Sequence, residues 1–234
     1  MVSIVMPAYN EKDHIERTVR EWNDEVVARL PGSELIVVDD CSKDGTGRVL
    51  DALAGELRQL RVVRPAQNGG HGKALRLCFQ HATREFVFQT DSDRQHLPAE
   101  FWKLWNARAD CDFAFGIRSS RADGLFRVLI TRSMRLLNFL IWGCWVADAN
   151  CPFKLMRRDA LEEVLLRIPP DSFIPMVMVS ILARKMGFRV TEVGVTHLSR
   201  TAGEQSLKGM LKWLRVCYRC SKQLVQLRLE VRDL

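Results

Sequence analysis

Four short apolar runs alternate with segments of helical period across the first ninety residues, and this alternation limits the fold more than any other feature. The runs are Val2 to Met6, Glu34 to Val38, Arg61 to Arg64 and Phe86 to Gln89. Between them, Asp13 to about Ala28 carries Ile15, Val19, Trp22 and Val26 at helical spacing. Further helices are expected from Thr46 to about Leu57 and from Ala74 to about His81, with Pro31-Gly32 breaking the first helix from the second strand. Strands that are apolar throughout, joined by helices, form a mostly parallel sheet buried on both faces.

In such a sheet, ligands bind beyond the C-terminal ends of the strands. Each polar cluster of this half lies at one of those ends: Asn10-Glu11, Asp39-Asp40, Asn68 to Lys73, and Asp91 to Gln95. Polar loops placed by chance would fall equally at both edges of the sheet. The clustering at one edge is the main sequence evidence for a site.

The fourth cluster, Asp91-Ser-Asp93-Arg-Gln95-His-Leu-Pro98, carries the chemistry most plainly. Two carboxylates one residue apart, just past a strand, can converge on a small hard cation such as Mg²⁺ or Mn²⁺. An isolated Asp-x-Asp is more often an acidic turn. Its place in a series of strand-end clusters shifts the reading to a metal and diphosphate site.

The second half is less regular. Pro98 to Arg108 reads as a helix and Phe113 to Arg118 as a strand. Helices follow near Ala160–Arg167 and Ile174–Met186, then a last strand at Arg189 to Val195. Gly209 to about Leu229 is a basic amphipathic helix with Lys212, Trp213, Arg215, Arg219 and Lys222. Phe126 to Trp145 mixes Arg127, Arg132 and Arg135 with Leu, Ile, Phe and Trp, which suits a helix lying in a membrane interface or, alternatively, a core helix.

The motifs together resemble the inverting glycosyltransferases of family 2, which have the GT-A fold. Val5-Met-Pro7-Ala-Tyr9-Asn10-Glu11, Val37-Val-Asp39-Asp40-Cys-Ser-Lys-Asp-Gly45-Thr, Asn68-Gly-Gly-His-Gly72-Lys73 and the Asp91–Pro98 stretch stand in the family's order. Asp-x-Asp followed by Gln-His and Pro is similar to the polyprenyl-phosphate branch, typified by dolichol-phosphate mannose synthase. Gly116-Ile-Arg118, Asp148 through Phe153, and Arg200-x-x-Gly203-Glu-x-Ser206-x-Lys208 extend the likeness to about residue 210. Cys41 and Pro152 stand where the family usually has Gly.

The resemblance implies an α/β fold with a Rossmann-like, mostly parallel central sheet flanked by helices, in one domain over residues 1–210. Its donor half covers about 1–98 and its acceptor half about 99–210, and residues 211–234 form the C-terminal basic helix. It implies a metal-dependent transfer of sugar from a UDP- or GDP-sugar to a polyprenyl phosphate. Pro7, Tyr9, Glu11, Asp40, Lys73 and Asp91 are then the donor contacts. Asp93 and Gln95 are the metal ligands, for Mg²⁺ or Mn²⁺, and Asp91, Asp93 and Asp148 the catalytic carboxylates. His96 reads as a structural turn histidine.

The acceptor chemistry follows from proton accounting. A sugar hydroxyl needs a general base to take its proton. A phosphate monoester, with a second pKa near 6, is already largely deprotonated and needs cations to hold it. Arg118, Arg132, Arg200, Ser206 and Lys208 are the candidates, arginine being suited to bidentate phosphate contacts. The second possibility is a glycan or other hydroxyl acceptor with Asp148 as base.

Bulk properties agree with this frame. The 234-residue chain is 47% apolar and 27% charged, with a formal charge of +7, which favours an anionic partner such as a phosphorylated ligand or an anionic membrane surface. No aromatic–basic stacking platform is evident, so nucleic acid is not an expected partner. Seven scattered cysteines point to reduced thiols in a cytosolic setting, and Cys217-x-x-Cys220 lacks the second pair of a zinc site. The N-terminus has no basic start or long apolar stretch, which argues against a signal peptide. The longest uncharged run, Leu136 to Ala147, is twelve residues, against about 20 for a bilayer span. The expected location is the cytoplasmic face of a membrane, held peripherally by the surface or by a membrane partner subunit.

Overall fold

A computed structural model describes residues 1–118, 136, 138–198 and 210–231, with the side chains of 210–214 excepted. The elements run β1 (Val2–Ala8), α1 (Lys12–Trp22), β2 (Glu34–Asp39), α2 (Thr46–Glu56), β3 (Leu60–Val63), α3 (His71–His81), β4 (Phe86–Gln89), α4 (Phe101–Ala107), β5 (Phe113–Arg118), β6 (Lys154–Arg157), α5 (Arg158–Leu165), α6 (Pro175–Lys185), β7 (Val190–Val195) and α7 (Met210–Glu230).

The strands form one sheet in the order β3-β2-β1-β4-β6-β5-β7. Pairings β1·β2, β1·β4, β2·β3 and β5·β7 are parallel, while β6 runs antiparallel between β4 and β5. The expected mostly parallel α/β sheet is therefore present. Period-2 alternation sends the two faces of each strand into separate cores. Val5, Ile36, Val38, Val87 and Phe113 pack against α3, α5, α6 and α7. Ile4, Met6, Leu35, Val37 and Phe88 pack against α1, α2 and α4. On the second face Trp22, Phe88, Phe101 and Phe153 interlock, with Phe88 edge-on to Phe101 and Phe153 at 4.9 and 4.7 Å between ring centroids. Burying each such ring stabilises by roughly 1.5–3 kcal/mol, and T-shaped pairs add to that.

Three local departures from the sequence reading have physical causes. The helix expected to run from Asp13 to Ala28 changes to a π-helical turn at Asn23–Val27, closed by Ala28 N–H donating to the Asn23 carbonyl at 2.8 Å. The extra residue in that turn lets Val26 and Val27 both bury. α3 starts three residues earlier than expected, at His71, so Lys73 sits in its first turn. β6 was not expected at all: Lys154-Leu-Met-Arg157 is flanked by cations and reads as loop, yet its Lys is fully buried.

β1 extends through Pro7. Its ladder to β4 ends at Val5, whose carbonyl accepts Thr90 N–H, while Ala8 faces β2 and accepts Asp40 N–H. By alternation the Pro7 nitrogen points at β4, and it has no hydrogen to give. The two strands part there, and a crevice opens between their C-terminal ends.

Candidate active site

That crevice is an open cleft of about 450 Å³, lined by Pro7, Ala8, Tyr9, Glu11, Asp40, Asn68, Gly70, His71, Ala74, Asp91, Ser92 and Asp93. The strand-end loops that build it are fastened to one another. Asn10 N–H donates to Ser42 Oγ, Lys43 N–H to Asn10 Oδ1, Glu11 N–H to Thr46 Oγ1 and Lys12 N–H to Asp44 Oδ2, at 2.8 to 3.0 Å. Non-glycine residues in the left-handed region follow three of the strands: Asn10 (φ 55°) after β1, Cys41 (φ 61°) after β2 and Arg94 (φ 59°) after β4. Backbone strain of this kind concentrates at functional sites. Gly adopts such angles without that strain.

The two adjacent aspartates divide their work. Asp39 is a turn residue, accepting Ser42 N–H and the Arg64 Nε–H. Asp40 holds the glycine-rich loop: its two carboxylate oxygens accept Gly69 N–H at 2.8 Å and Gly70 N–H at 2.7 Å, and its carbonyl accepts from Asn68 Nδ2. It lines the cleft, but its oxygens are already engaged in shaping the loop. Tyr9 is about half-exposed over the cleft, as suits a stacking aromatic. Lys73 is exposed on the first turn of α3, leaning its stem on Gly69, and is not among the lining residues. Gly72 lies against the 172–173 backbone so closely that a Cβ there would stand 2.2 Å from the Ser172 carbonyl oxygen.

β4 ends at Gln89, so Asp91 and Asp93 stand on a loop rather than on one strand face. The left-handed Arg94, tied to Glu21 through its guanidinium at 3.1 Å, turns that loop back and leaves both carboxylates on the cleft. Asp93 Oδ1 accepts Gln95 N–H at 3.1 Å. Gln95 Nε2 donates to the Leu198 carbonyl, and Leu198 N–H donates to the Gln95 carbonyl at 2.8 Å. This fixes the amide so that its Oε1 is the atom left over. Two carboxylates and an amide oxygen are hard donors of the kind Mg²⁺ and Mn²⁺ take. Among the described residues no three His, Cys, Asp or Glu side chains gather as a metal cage. The donor set therefore fits a cation that draws its remaining ligands from phosphate oxygens and water.

His96 stacks on Phe153 at 5.0 Å and meets His197 edge-on at 5.1 Å. Burial, with the nearby His197 and Arg118, pushes its pKa down to about 3, so the ring is neutral. The ring packs between Phe153 and His197 with both nitrogens buried.

Arg118 and Asp148 meet at the C-terminal end of β5. Arg118 Nε and Nη2 each donate to a separate Asp148 oxygen at 2.7 Å, a bidentate pair with side-chain exposures of 15% and 5%. The other edge of the guanidinium, carrying Nη1, makes no hydrogen bond with the described residues. Asp91 and Asp148 both lie close enough to stabilise the Arg118 charge, so donor and acceptor halves share one electrostatic neighbourhood. Of the remaining expected site residues, Arg132, Arg200, Ser206 and Lys208 lie outside the described residues.

Sequence reasoning assigned no site role to Ala8, Asn68, Gly70, His71, Ala74 and Ser92, which also line the cleft, or to Lys154 behind the site. His71 had a signal, since it sits inside the glycine-rich loop. Lys154 had none, because a lysine beside Phe153 gives no sign of being buried.

Comparisons with known proteins agree with this architecture. The chain is 30% identical over 212 residues to an undecaprenyl-phosphate 4-deoxy-4-formamido-L-arabinose transferase of Klebsiella pneumoniae, a match covering 89% of this chain and 63% of that protein. The protein of the same description from Sodalis glossinidius is 30% identical over 223 residues, covering 93% and 65%. The chain thus spans less than two thirds of the length of these relatives. Among solved structures, a mannosyltransferase from Pyrobaculum calidifontis in complex with GDP-Man and Mn²⁺ superposes with a TM-score of 0.68 at 23% identity, covering all of this chain and 64% of that one. Glucosyl-3-phosphoglycerate synthase from Mycobacterium tuberculosis, in complex with Mn²⁺, UDP and glucosyl-3-phosphoglycerate, gives 0.67 at 20% identity, covering 98% and 78%. These likenesses establish a shared GT-A fold. The family model for glycosyl transferase family 2 matches residues 3–165, and the chain belongs to that family.

Proposed function

We propose that the protein is a metal-dependent inverting glycosyltransferase that moves a sugar from a nucleotide-sugar to a polyprenyl phosphate. The single observation that carries the acceptor assignment is the Arg118–Asp148 pair. A carboxylate whose two oxygens are both held by a guanidinium is a poor proton acceptor, so it is badly placed to activate a hydroxyl. It is well placed to orient Arg118. With Nε and Nη2 taken, the guanidinium still presents a second edge of N–H donors suited to a phosphate. The curated relatives carry undecaprenyl phosphate in their names, which supports the same class of acceptor.

In this reading Tyr9, Pro7 and Glu11 receive the nucleoside, and the loop held by Asp40 shapes the wall beside the diphosphate. Asp93 and Gln95 hold the divalent cation, with Asp91 beside them. When bound, that cation takes up the charge developing on the leaving nucleoside diphosphate. Arg118 holds the acceptor phosphate, whose oxygen forms the new bond to the sugar's anomeric carbon as the bond to the donor's phosphate oxygen breaks. Attack from the opposite face inverts the configuration.

The lipid acceptor implies a membrane surface, on the cytoplasmic face. Leu136, Phe139, Leu140 and Trp145 are 43–70% exposed, and α7 carries Arg215, Arg219 and Lys222. An apolar patch with basic residues elsewhere on the molecule suits binding at an anionic interface. No helix among the described residues is long and apolar enough to cross a membrane.

The test is transfer of radiolabelled sugar into an organic-extractable lipid. Polyprenyl phosphate should accept label and the corresponding polyprenol should not, and Asp93→Ala should abolish transfer. Labelling of a soluble glycan with no lipid product would overturn the proposal.

A further inference from the structure

We propose that Lys154 is the positioning residue of the acceptor half: its buried ammonium pins the backbone after Asp148 and so keeps that carboxylate against Arg118. The inference rests on the reading above for its consequence in catalysis, but its geometry stands alone.

Lys154 has no solvent exposure and lies in the centre of the sheet, in register with Gln89 of β4 and Phe115 of β5. Its Nζ donates to the carbonyls of Ala149, at 3.1 Å, and of Cys151, and stands 5.3 Å from the Phe115 ring centre. No carboxylate among the described residues lies within ion-pair distance of it. Burying an ammonium with only carbonyls and a ring face for company is expensive, and a methionine would fill the same space without that cost. What the charge gains is a hold on the 148–153 loop. The Ala149 carbonyl takes a second donor from Ser180 Oγ of α6 at 3.2 Å, and Cys151 N–H closes a turn on the Asp148 carbonyl. Beyond Cys151, the Phe153 carbonyl accepts Gly116 N–H of β5 at 2.8 Å. The loop is thus tied at its far end by β5 and in its middle by Lys154, which leaves Asp148 at its near end one position, facing Arg118.

The charged and titratable groups around the ammonium are Cys151 and Asp148 of the loop, Arg118 of β5 and Arg184 of α6; β4 contributes the neutral Gln89. Burial outweighs the help from Cys151 and Asp148 and brings the Lys154 pKa down to about 8. Deprotonation would convert two charge-assisted bonds into weak ones and release the loop.

The experiment compares Lys154→Met and Lys154→Arg with the wild type by kinetics and by side-chain ¹⁵N NMR of arginine. The Arg118 Nε–H resonance, assigned as the one missing in Arg118→Lys, reports the pair whatever the acceptor is. In Lys154→Met that resonance should be lost to exchange with water, KM for the lipid phosphate should rise at least tenfold, and nucleoside-diphosphate affinity should stay within twofold. The wild type should lose kcat/KM and the Arg118 signal together through about pH 8. Lys154→Arg should keep both and lack the alkaline limb. A Lys154→Met protein with intact lipid KM and Arg118 signal, or a wild-type signal unchanged to pH 9.5, would overturn the proposal. The wild-type titration decides the matter even where neither variant folds. Failure of the wild type to glycosylate any polyprenyl phosphate would instead count against the acceptor assignment, leaving the NMR result for Lys154 untouched.

Discussion

Replacing Asp148 by Asn separates the two chemistries open to this carboxylate. The substitution keeps the shape and one acceptor oxygen but removes the charge that holds Arg118 through two 2.7 Å bonds. Breaking a buried ion pair from one side costs about 3–5 kcal/mol, because the partner charge is left uncompensated. Arg118 keeps 15% of its side chain in reach of water and one oxygen of the amide, so the low end, about 3 kcal/mol, applies here. For a domain of this size that lowers Tm by roughly 6–12 °C. Donor binding should not change, since the nucleotide cleft is built from other loops. With Arg118 no longer held in one orientation, KM for the lipid phosphate should rise about 10- to 100-fold, equivalent to ~1.4–2.8 kcal/mol. The assays are thermal melting with and without nucleoside diphosphate plus Mn²⁺, and steady-state transfer with the lipid varied. A fall in kcat of a thousandfold or more at unchanged lipid KM would refute the reasoning and identify Asp148 as a general base. A melting temperature within 2 °C of wild type would show that the pair contributes little.

Four further outcomes follow from particular residues. Cys41 sits at φ 61°, so Cys41→Val, with its branched Cβ, should cost about 1–2 kcal/mol whereas Cys41→Gly should cost nothing; urea midpoints check this. Gly72→Ala would press a Cβ on the Ser172 carbonyl at 2.2 Å, forcing α3 away from the 172–173 segment, and should destabilise by about 1–3 kcal/mol and weaken nucleoside-diphosphate binding in calorimetry. The folded pKa of Lys154 lies below its unfolded value of 10.5, so between about pH 8 and 10.5 the unfolded chain binds more protons, and this group's contribution to stability rises with pH. Wild type should therefore gain on Lys154→Met in denaturant melts across that window, and a constant difference would contradict the assigned burial cost. Leu140→Glu with Trp145→Glu should reduce sedimentation with anionic vesicles without lowering Tm, because both side chains are exposed.

The donor half was legible because its information is local. Each strand-end cluster follows its strand directly, and the parallel sheet brings the cluster ends together whatever the detailed packing, so Glu11 and Asp91–Asp93 could be placed at one edge from order, and Pro7 and Tyr9 beside them through the family resemblance. What each does there was less legible. Asp40 reads as a ligand contact and lines the cleft, but its oxygens also accept from Gly69 and Gly70, a pairing 29 and 30 residues away that no local pattern records. The acceptor half depends on β6, a four-residue strand whose two cations disguise it. Without β6, nothing in the sequence says that Lys154 points inward or that Asp148 and Arg118, 30 residues apart, face each other.

Pro7 has a consequence for how the cleft is kept open. A sheet is a zipper of backbone groups, and a proline whose nitrogen faces the neighbouring strand is a stop built into one side of it. Past Val5 the β1 and β4 backbones can no longer close on each other, however the surrounding loops change. The fork, and with it the polar backbone that greets a ligand, is fixed by one residue's missing hydrogen rather than by loop sequence. Residues such as His71 and Ser92 line a cleft whose opening does not depend on them.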